Sequence, residues 1–325
     1  MINIDLASKS DSLVGKTVAI FGATGFIGSH VVDRFLDEGC NVKAYGRSLP
    51  GLISPNSQYH SNFKLISLDL SDKLLVNKAL TCVDVVISMA SSSLPHNSNN
   101  DPHNDIQSNL IGSLNLLDAS VENNISKFVF ISSGGTVYGP PIDVPILETH
   151  PTNPICSYGI VKLAIEKYVM LYQKLYNLNS TILRLANPYG ERQRLDAKQG
   201  VVPVFMHRAM NNLPLEVWGD GSVIRDFLYI SDVVEAIRLS CIYNGNNTIF
   251  NIGSGVGMSL NELIQLLEDI TAKQLKVIYK PSRVFDVPTN VLSIDLAQSS
   301  LRWTPRVSPK QGIKNFYKYI SLLSS

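Results

Sequence analysis

Residues 18–28 read VAIFGATGFIG, a strand-like apolar run that leads directly into a loop with three glycines. A helical pattern follows over Gly28–Glu38, and a second strand-like run comes at Asn41–Tyr45. Glycines let the backbone turn tightly and approach a pyrophosphate, and the amino end of a helix presents unpaired N–H groups. The stretch therefore predicts a dinucleotide-binding turn. We assign its cofactor contacts to Gly22, Thr24, Gly25, Phe26, Ile27 and Gly28.

Strand-like and helical patterns continue to alternate through the first half of the chain. Further strand-like runs lie at Phe63–Leu68, Asp84–Met89, Phe128–Ser132 and Ser180–Leu185, and helical patterns lie near Asp105–Glu122 and at Ser157–Leu175. Such alternation predicts an α/β fold, a Rossmann-type doubly wound parallel sheet with a smaller C-terminal substrate-binding lobe. We expect the NAD(P)-binding domain to comprise residues 14–187 plus about 226–252, and the lobe residues 188–225 plus about 253–325.

Charge and composition argue against several classes of protein. The 325 residues carry 28 Lys+Arg against 27 Asp+Glu, a formal net charge of +1, so nucleic acid is not an expected partner. No apolar run reaches the roughly 18 residues of a membrane-spanning helix, and the start of the chain does not resemble a secretory signal. Four cysteines without a CxxC pair and six histidines without a cluster predict no metal site. We expect a cytoplasmic protein without a membrane partner.

The end of the second strand bears on the choice of dinucleotide. An acidic residue there usually binds the ribose hydroxyls of NAD, but Ala44–Ser48 contains none. Arg47 can instead pair with a 2′-phosphate, which favours NADP(H). If Arg47 only stacks on the adenine, NAD(H) remains the alternative. Asp69 and Leu70, which close the third strand, are candidates for contacts at the adenine end.

Tyr158 and Lys162 are the candidate catalytic pair. They stand four residues apart in a helical pattern, so their side chains share one face. A neighbouring ammonium is expected to lower the pKa of a tyrosine, whose ordinary value of about 10 makes it a poor base at neutral pH. The same lysine can hold the nicotinamide ribose. At the preceding strand end, a hydroxyl can polarise a substrate carbonyl, with Ser133 as the first candidate and Thr136 as the second.

The chain resembles the extended short-chain dehydrogenase/reductases that act on nucleotide sugars, the epimerase/dehydratase group, over about residues 16–319. The shared motifs, in order, are GATGFIG, SSGGTVYG, Tyr158-x-x-x-Lys162, LANPYG at 185–190, WGDGSVIRDF at 218–227 and the closing Asp295…Leu301-x-Trp303-x-Pro305. The resemblance implies that Asn187 binds the phosphates of a nucleotide sugar and that Arg225 neutralises its diphosphate. It further implies a second phosphate clamp at Arg283 and a nucleotide-ribose contact at Asp286.

Two positions depart from the pattern of the group. Gly46 replaces the usual acidic residue after the second strand, which puts tight retention of NAD in doubt. Gly134 stands where many relatives carry a further hydroxyl-bearing residue, so the catalytic hydroxyl is open between Ser133 and Thr136.

Several functions fit these residues. The first hypothesis is NADPH-dependent reduction at C4 of an NDP-4-keto-6-deoxyhexose, of the dTDP-4-dehydro-6-deoxyglucose type, for surface polysaccharide precursors. The alternative is an NAD-dependent 4-epimerase of the UDP-glucose/UDP-galactose type. A dehydratase is disfavoured because Gly135 and Thr136 replace its Asp-Glu pair. A non-catalytic nucleotide sensor is disfavoured because Tyr158 and Lys162 are both present.

The helix expected at Ser157–Leu175 also predicts assembly. Its apolar residues surround most of its circumference, although a helix packed on a sheet needs only one apolar stripe. A second copy of the chain is the commonest cover for such a surface. The resemblance likewise implies a homodimer, in which this helix and the one near Asp105–Glu122 form a four-helix interface.

Overall fold

A computed structural model describes residues 12–49, 51–95, 97–195, 200–282 and 287–323. The strands are β1 (Thr17–Phe21), β2 (Asn41–Gly46), β3 (Phe63–Ser67), β4 (Val85–Ser88), β5 (Lys127–Ser133), β6 (Ser180–Leu185), β7 (Asn187–Tyr189), β8 (Leu215–Trp218), β9 (Ile224–Tyr229), β10 (Ile249–Ile252), β11 (Gly257–Ser259), β12 (Val277–Lys280) and β13 (Thr289–Asn290). The helices are α1 (Phe26–Asp37), α2 (Pro55–Gln58), α3 (Lys73–Ala79), α4 (Pro102–Asp105), α5 (Gly112–Glu122), α6 (Ser157–Tyr176), α7 (Val201–Met210), α8 (Ile230–Ile242), α9 (Leu260–Thr271) and α10 (Pro309–Leu323).

Seven strands form one parallel sheet in the order β10-β6-β5-β4-β1-β2-β3. The order reverses between β1 and β4, so the carboxyl ends of these two strands flank a crevice. Ligands of doubly wound sheets bind at this kind of switch point. The predicted α/β class and the Rossmann-type sheet are confirmed.

The two faces of this sheet are covered by different helices. On one face, α1 and α8 pack over β1 residues such as Ile20; on the other, α3, α5 and α6 pack over Ala19 and Phe21. Successive β1 side chains therefore enter opposite cores, which explains why the strand is apolar at every buried position. One of these cores continues into the C-terminal part of the chain through α9 and α10.

The helix expected near Asp105–Glu122 starts earlier and is not regular. It begins as α4, where Asp101 accepts a hydrogen bond from the Asn104 N–H at 3.0 Å and a proline follows the cap. A π-helical segment, Ile106–Ile111, separates α4 from α5. The wider turn changes which side chains face the neighbouring elements, a change that an α-helical pattern cannot anticipate.

Smaller sheets lie outside the seven-stranded one. β9 pairs with β7, β11 and β13, and β8 pairs with β12. The chain passes from the large sheet to the small one after β6, and α8 and β10 return it to the edge of the large sheet. The stretch of about residues 226–252 was expected to belong with the large sheet. It begins in the smaller sheet, at β9, and rejoins the large sheet only at β10.

Candidate active site

Two neighbouring cavities open at the carboxyl ends of β1, β4 and β5. The larger, of about 720 Å³, is lined by the predicted residues Gly22, Gly25, Phe26, Ile27, Gly28, Ser133, Thr136, Tyr158, Lys162, Asn187 and Arg225. The smaller, of about 280 Å³, is lined by Gly22, Thr24, Gly25, Arg47, Asp69 and Leu70. Every predicted site residue within the described ranges thus borders one or both cavities. Arg283 and Asp286 lie outside the described residues.

The glycine turn joins the two cavities and has the features of a phosphate site. Gly22 has φ +87°, and a Cβ there would lie 2.8 Å from the Ala90 nitrogen. A Cβ on Gly28 would lie 2.2 Å from the Gly22 carbonyl oxygen, so α1 can pack this close to β1 only without that side chain. Gly25 is the N-cap of α1 and forms no side-chain cap. The first N–H groups of α1 are thereby open toward the cavity, which suits a pyrophosphate.

The end of β2 packs closely against Thr24. A Cβ on Gly46 would lie 2.4 Å from Thr24 Oγ1, and a Cβ on Gly51 would lie 2.4 Å from Thr24 Cβ. A side chain at position 46 therefore cannot be added unless Thr24 moves. Arg47 is exposed at the rim of the smaller cavity, and Asp69 lines the same cavity. Hydrogen bonds from Ser71 hold the pKa of Asp69 below its ordinary value, and the charge of Arg47 acts in the same direction.

Tyr158 and Lys162 lie in the first two turns of α6 and face the larger cavity. The Lys162 ammonium donates to the Ile131 carbonyl oxygen at 2.9 Å and lies 5.6 Å from the centre of the Tyr158 ring. It also lies 4.9 Å from the centre of the Phe130 ring. The structure therefore brings the predicted pair together, beside the strand that carries the candidate hydroxyls.

Burial controls the ionisation of this pair. It raises the pKa of the Tyr158 phenol, with Cys156 and Asp105 acting in the same direction. Burial also lowers the pKa of Lys162 to about 8, although Glu166 and Asp105 oppose that change. The pKa of Tyr158 is thus raised and not lowered, contrary to the expectation from the neighbouring ammonium, because removing the phenol from water has the larger effect.

The two candidate hydroxyls differ in their surroundings. Thr136 Oγ1 is buried and has no hydrogen-bond partner among the described residues. Ser133, at the end of β5, is half-buried and lines the same cavity. A Cβ on Gly134 would lie 2.6 Å from Leu292 Cδ1, so Leu292 fills the space that a hydroxyl-bearing side chain would need there. Because a buried hydroxyl without a partner is costly, Thr136 is the better candidate to donate to a bound ligand.

A buried ion pair supports the strand and helix that carry the site. Glu166 lies one turn after Lys162, is 0% exposed, and accepts from Arg184 Nη2 at 2.6 Å and from the Ser132 hydroxyl at 2.5 Å. Arg184 also donates to the Tyr138 hydroxyl at 2.9 Å. These bonds join β5, α6 and β6, so they fix Lys162 relative to the strand whose carbonyl it contacts.

Asn187 and Arg225 also line the larger cavity. The Asn187 amide donates to the Asp226 carbonyl oxygen at 3.0 Å. Arg225 donates to the Ile224 and Val287 carbonyl oxygens at 2.8 and 2.7 Å. Both side chains are thus held in place by backbone contacts while they border the cavity. A guanidinium held in this way suits a phosphate group.

Other lining residues were not assigned from the sequence. They include Ser91 and Pro95 after β4, Gln193, Val201–Phe205 at the start of α7, and Glu216 and Trp218 on β8. Ser91 was detectable, because it lies three residues after the end of the buried parallel strand β4. Glu216 and Trp218 belong to the separate sheet of β8 and β12, whose place beside the cavity no local pattern reveals.

Comparisons with known proteins agree with this arrangement. The sequence model of the NAD dependent epimerase/dehydratase family matches residues 18–253. Over 307 residues the chain is 35% identical to a Methanocaldococcus jannaschii protein named "Putative UDP-glucose 4-epimerase", covering 93% of this chain and 98% of that one. It is 33% identical to the dTDP-4-dehydro-6-deoxyglucose reductase of Escherichia coli, again over 307 residues, covering 93% of this chain and 97% of the other.

A solved structure resembles the whole fold. The crystal structure of UDP-glucose 4-epimerase from Thermotoga maritima, with UDP-glucose, superposes with a TM-score of 0.89. The two sequences are 34% identical, and the match covers 95% of this chain and 100% of that chain. Among the described residues, no helix is both long enough and apolar enough to cross a membrane.

Proposed function

We propose that this chain, which belongs to the NAD dependent epimerase/dehydratase family, is a nucleotide-sugar 4-epimerase. The observation that carries the proposal is one continuous cavity, in which the glycine turn, the Tyr158–Lys162 pair and Arg225 all take part. This places groups for a dinucleotide, for acid–base chemistry and for a phosphate in one space. The sequence alone favoured a reductase, but the similarity to UDP-glucose 4-epimerases supports the epimerase instead.

The residues of the glycine turn fit a dinucleotide. The open amino end of α1 would hold its pyrophosphate, and the smaller cavity would hold its adenosine. When bound, the nicotinamide supplies hydride uptake from C4 of the sugar and its return. Lys162 would bind the nicotinamide ribose.

The chain's own groups would move the proton and hold the substrate. Tyr158 would take the proton of the C4 hydroxyl during oxidation and return it during reduction. The Thr136 hydroxyl, with Ser133 as the second candidate, would donate to the developing carbonyl oxygen. Asn187 and Arg225, which line the same cavity as Tyr158, would hold the diphosphate.

A C4 reductase is the second candidate, and the end of β2 is the observation that favours it. Thr24 and Gly46 leave no room for an acidic side chain, while Arg47 is available at the cavity rim. This arrangement favours NADP(H), a cofactor that would be exchanged at each turnover. The substrate would then be an NDP-4-keto-6-deoxyhexose, as the name of the Escherichia coli relative suggests.

Identification of the dinucleotide that co-purifies with the protein separates the two candidates. An epimerase should retain about one NAD per chain after dialysis and interconvert UDP-glucose and UDP-galactose without net consumption of cofactor. A reductase should lose its cofactor and consume NADPH in the presence of a 4-keto-6-deoxy nucleotide sugar. Absence of 4-epimerase activity in protein saturated with NAD, over a panel of nucleotide sugars, would contradict the main proposal.

The division of the chain and its assembly belong to the same proposal. The dinucleotide domain would comprise residues 14–187 plus the segment that returns through α8 and β10, and the remaining segments would bind the nucleotide sugar. Several apolar side chains on α6 are exposed, among them Ile160 at 55% and Leu175 at 58%. We propose that a second copy of the chain covers this face.

A further inference from the structure

Asp105 is a buried carboxylate close to the catalytic pair. It ends α4, is 1% exposed, and accepts three side-chain hydrogen bonds. The donors are the Ser93 hydroxyl at 2.7 Å, the Asn109 amide at 2.6 Å and the Ser157 hydroxyl at 2.7 Å. No cation within the described ranges forms a salt bridge with it. A buried carboxylate without a salt-bridge partner is unusual and calls for an explanation.

The three donors belong to different elements. Ser93 lies in the loop after β4, Asn109 in the π-helical segment, and Ser157 is the first residue of α6. Asn109 also accepts from the Ser92 N–H at 2.8 Å, and both Ser92 and Asn109 line the smaller cavity. Asp105 therefore connects the wall of the smaller cavity to the start of α6, the helix that carries Tyr158.

The first turn of α6 depends on these contacts. Its N-cap, Cys156, makes no side-chain cap. Instead, the Ser157 N–H donates to Asn99 Oδ1 at 2.8 Å while the Ser157 hydroxyl donates to Asp105. A carboxylate at the amino end of a helix is also favoured by the helix dipole. Because Tyr158 follows Ser157 directly, this anchor fixes the position of the tyrosine.

We propose that Asp105 is a positioning residue of the active site: it anchors the first turn of α6 through Ser157 and places a negative charge near Tyr158 and Lys162. The proposal rests on the proposed function of that pair. The charged or titratable groups that raise the pKa of Tyr158 are Cys156 and Asp105, and the Lys162 ammonium lies 5.6 Å from the centre of its ring. Those that influence Lys162 are Glu166 and Asp105.

The sign of the effect is the same for both members of the pair. The negative charge of Asp105 raises the pKa of Tyr158 and opposes the lowering of the pKa of Lys162 by burial. Removal of that charge should therefore lower both pKa values. A structural anchor without an electrostatic role would leave them where they are.

Asp105→Asn tests this, because it removes the charge and keeps the shape. The Lys162 side chain is followed by NMR of ¹³C-labelled lysine, its signal identified by its absence in Lys162→Met. The titration midpoint, expected at about 8 in the wild type, should fall by about one pH unit. The pH profile of kcat/KM should move to lower pH in the same direction. The NMR titration needs no substrate, so it stands even if the assigned reaction is wrong.

Ser157→Ala is the matched control. It removes one hydrogen bond to Asp105 but leaves the charge, so it should lower kcat while the Lys162 midpoint stays at its wild-type value. If Asp105→Asn does not fold, Asp105→Ser removes the charge with a smaller side chain and should shift the midpoint in the same direction. An unchanged Lys162 midpoint in the folded Asp variant, whatever its activity, would overturn the proposal.

Discussion

Thr24 occupies the space in which the side chain of an acidic residue at position 46 would start. The absence of that acid from the β2 end is thus a feature of packing as well as of sequence. A change of Gly46 to aspartate alone would force Thr24 toward the cavity that it lines. Cofactor preference at this strand end therefore depends on positions 24 and 46 together rather than on position 46 alone.

Arg47→Asp tests the preference for NADP(H) over NAD(H) at the exposed arginine that follows β2. A carboxylate at the rim would repel a 2′-phosphate, so NADPH binding should weaken by at least about tenfold more than NADH binding. Fluorescence titration with each cofactor measures this. Lys64→Asp is the control, since Lys64 is exposed on β3 and does not line the cavity. Equal losses for the two cofactors would refute a role of Arg47 in discrimination.

Tyr158→Phe tests the proton-transfer role. The ring remains, so folding and cofactor binding should stay close to wild type, while kcat should fall by about two to four orders of magnitude. Steady-state kinetics with saturating cofactor gives the result. A Phe variant that retains most of its activity would show that Tyr158 is not the acid–base group.

The assignment of the catalytic hydroxyl is tested by a pair of changes. Thr136→Val removes the buried hydroxyl at nearly constant shape and should lower kcat by about 10²-fold or more, whereas Ser133→Ala should cost less. Kinetics of both variants at saturating substrate decides between them. The reverse ranking would return the role to Ser133.

At the scale of single elements, the strands of the first half of the fold were predictable because they are short apolar runs bounded by polar residues. The bounds of β1, β2, β3 and β6 differ from the prediction by one residue at most. The shortest strands after β6 were not predicted, because β7 and β11 have three residues each and β13 has two. Runs this short have no periodicity, and their pairing partners are distant in sequence.

The candidate site was predictable to the extent that its residues follow strand ends or occupy motifs. Ser133 and Tyr158 could be found in this way. Asp105 could not, because its contact with Ser157 joins residues that are 52 positions apart in the chain. The Leu292 side chain occupies the space beside Gly134, and these two residues are likewise far apart in the chain.

Glu166→Ala tests the buried support of β5, α6 and β6. It would leave the Arg184 guanidinium buried without its carboxylate, which typically costs about 3–5 kcal/mol in the free energy of unfolding. Urea denaturation followed by circular dichroism measures the loss. Lys73→Ala, which breaks the exposed pair with Asp118, should cost much less, because water screens an exposed ion pair. Similar losses in the two variants would contradict the importance of the buried pair.

At the scale of the whole molecule, the exposed apolar face of α6 predicts a dimer. Light scattering at micromolar concentration should report about twice the chain mass of 35.8 kDa. Leu171, 42% exposed on α6, should be essential to the contact, so Leu171→Glu should give monomers or insoluble protein. Leu74→Glu changes an 83% exposed leucine on α3 and should leave the mass unchanged. A monomeric wild type at high concentration would refute the interface.

The position of β10 at the edge of the large sheet has a consequence for biosynthesis. β6 is synthesised before β7, α7, β8, β9 and α8, and all of these precede β10, the strand that pairs with its outer edge. During that interval β6 presents an unpaired edge, the kind of surface that recruits other extended chains. The large sheet is therefore completed late in translation, and a nascent chain that stalls before residue 249 would be a natural client for chaperones.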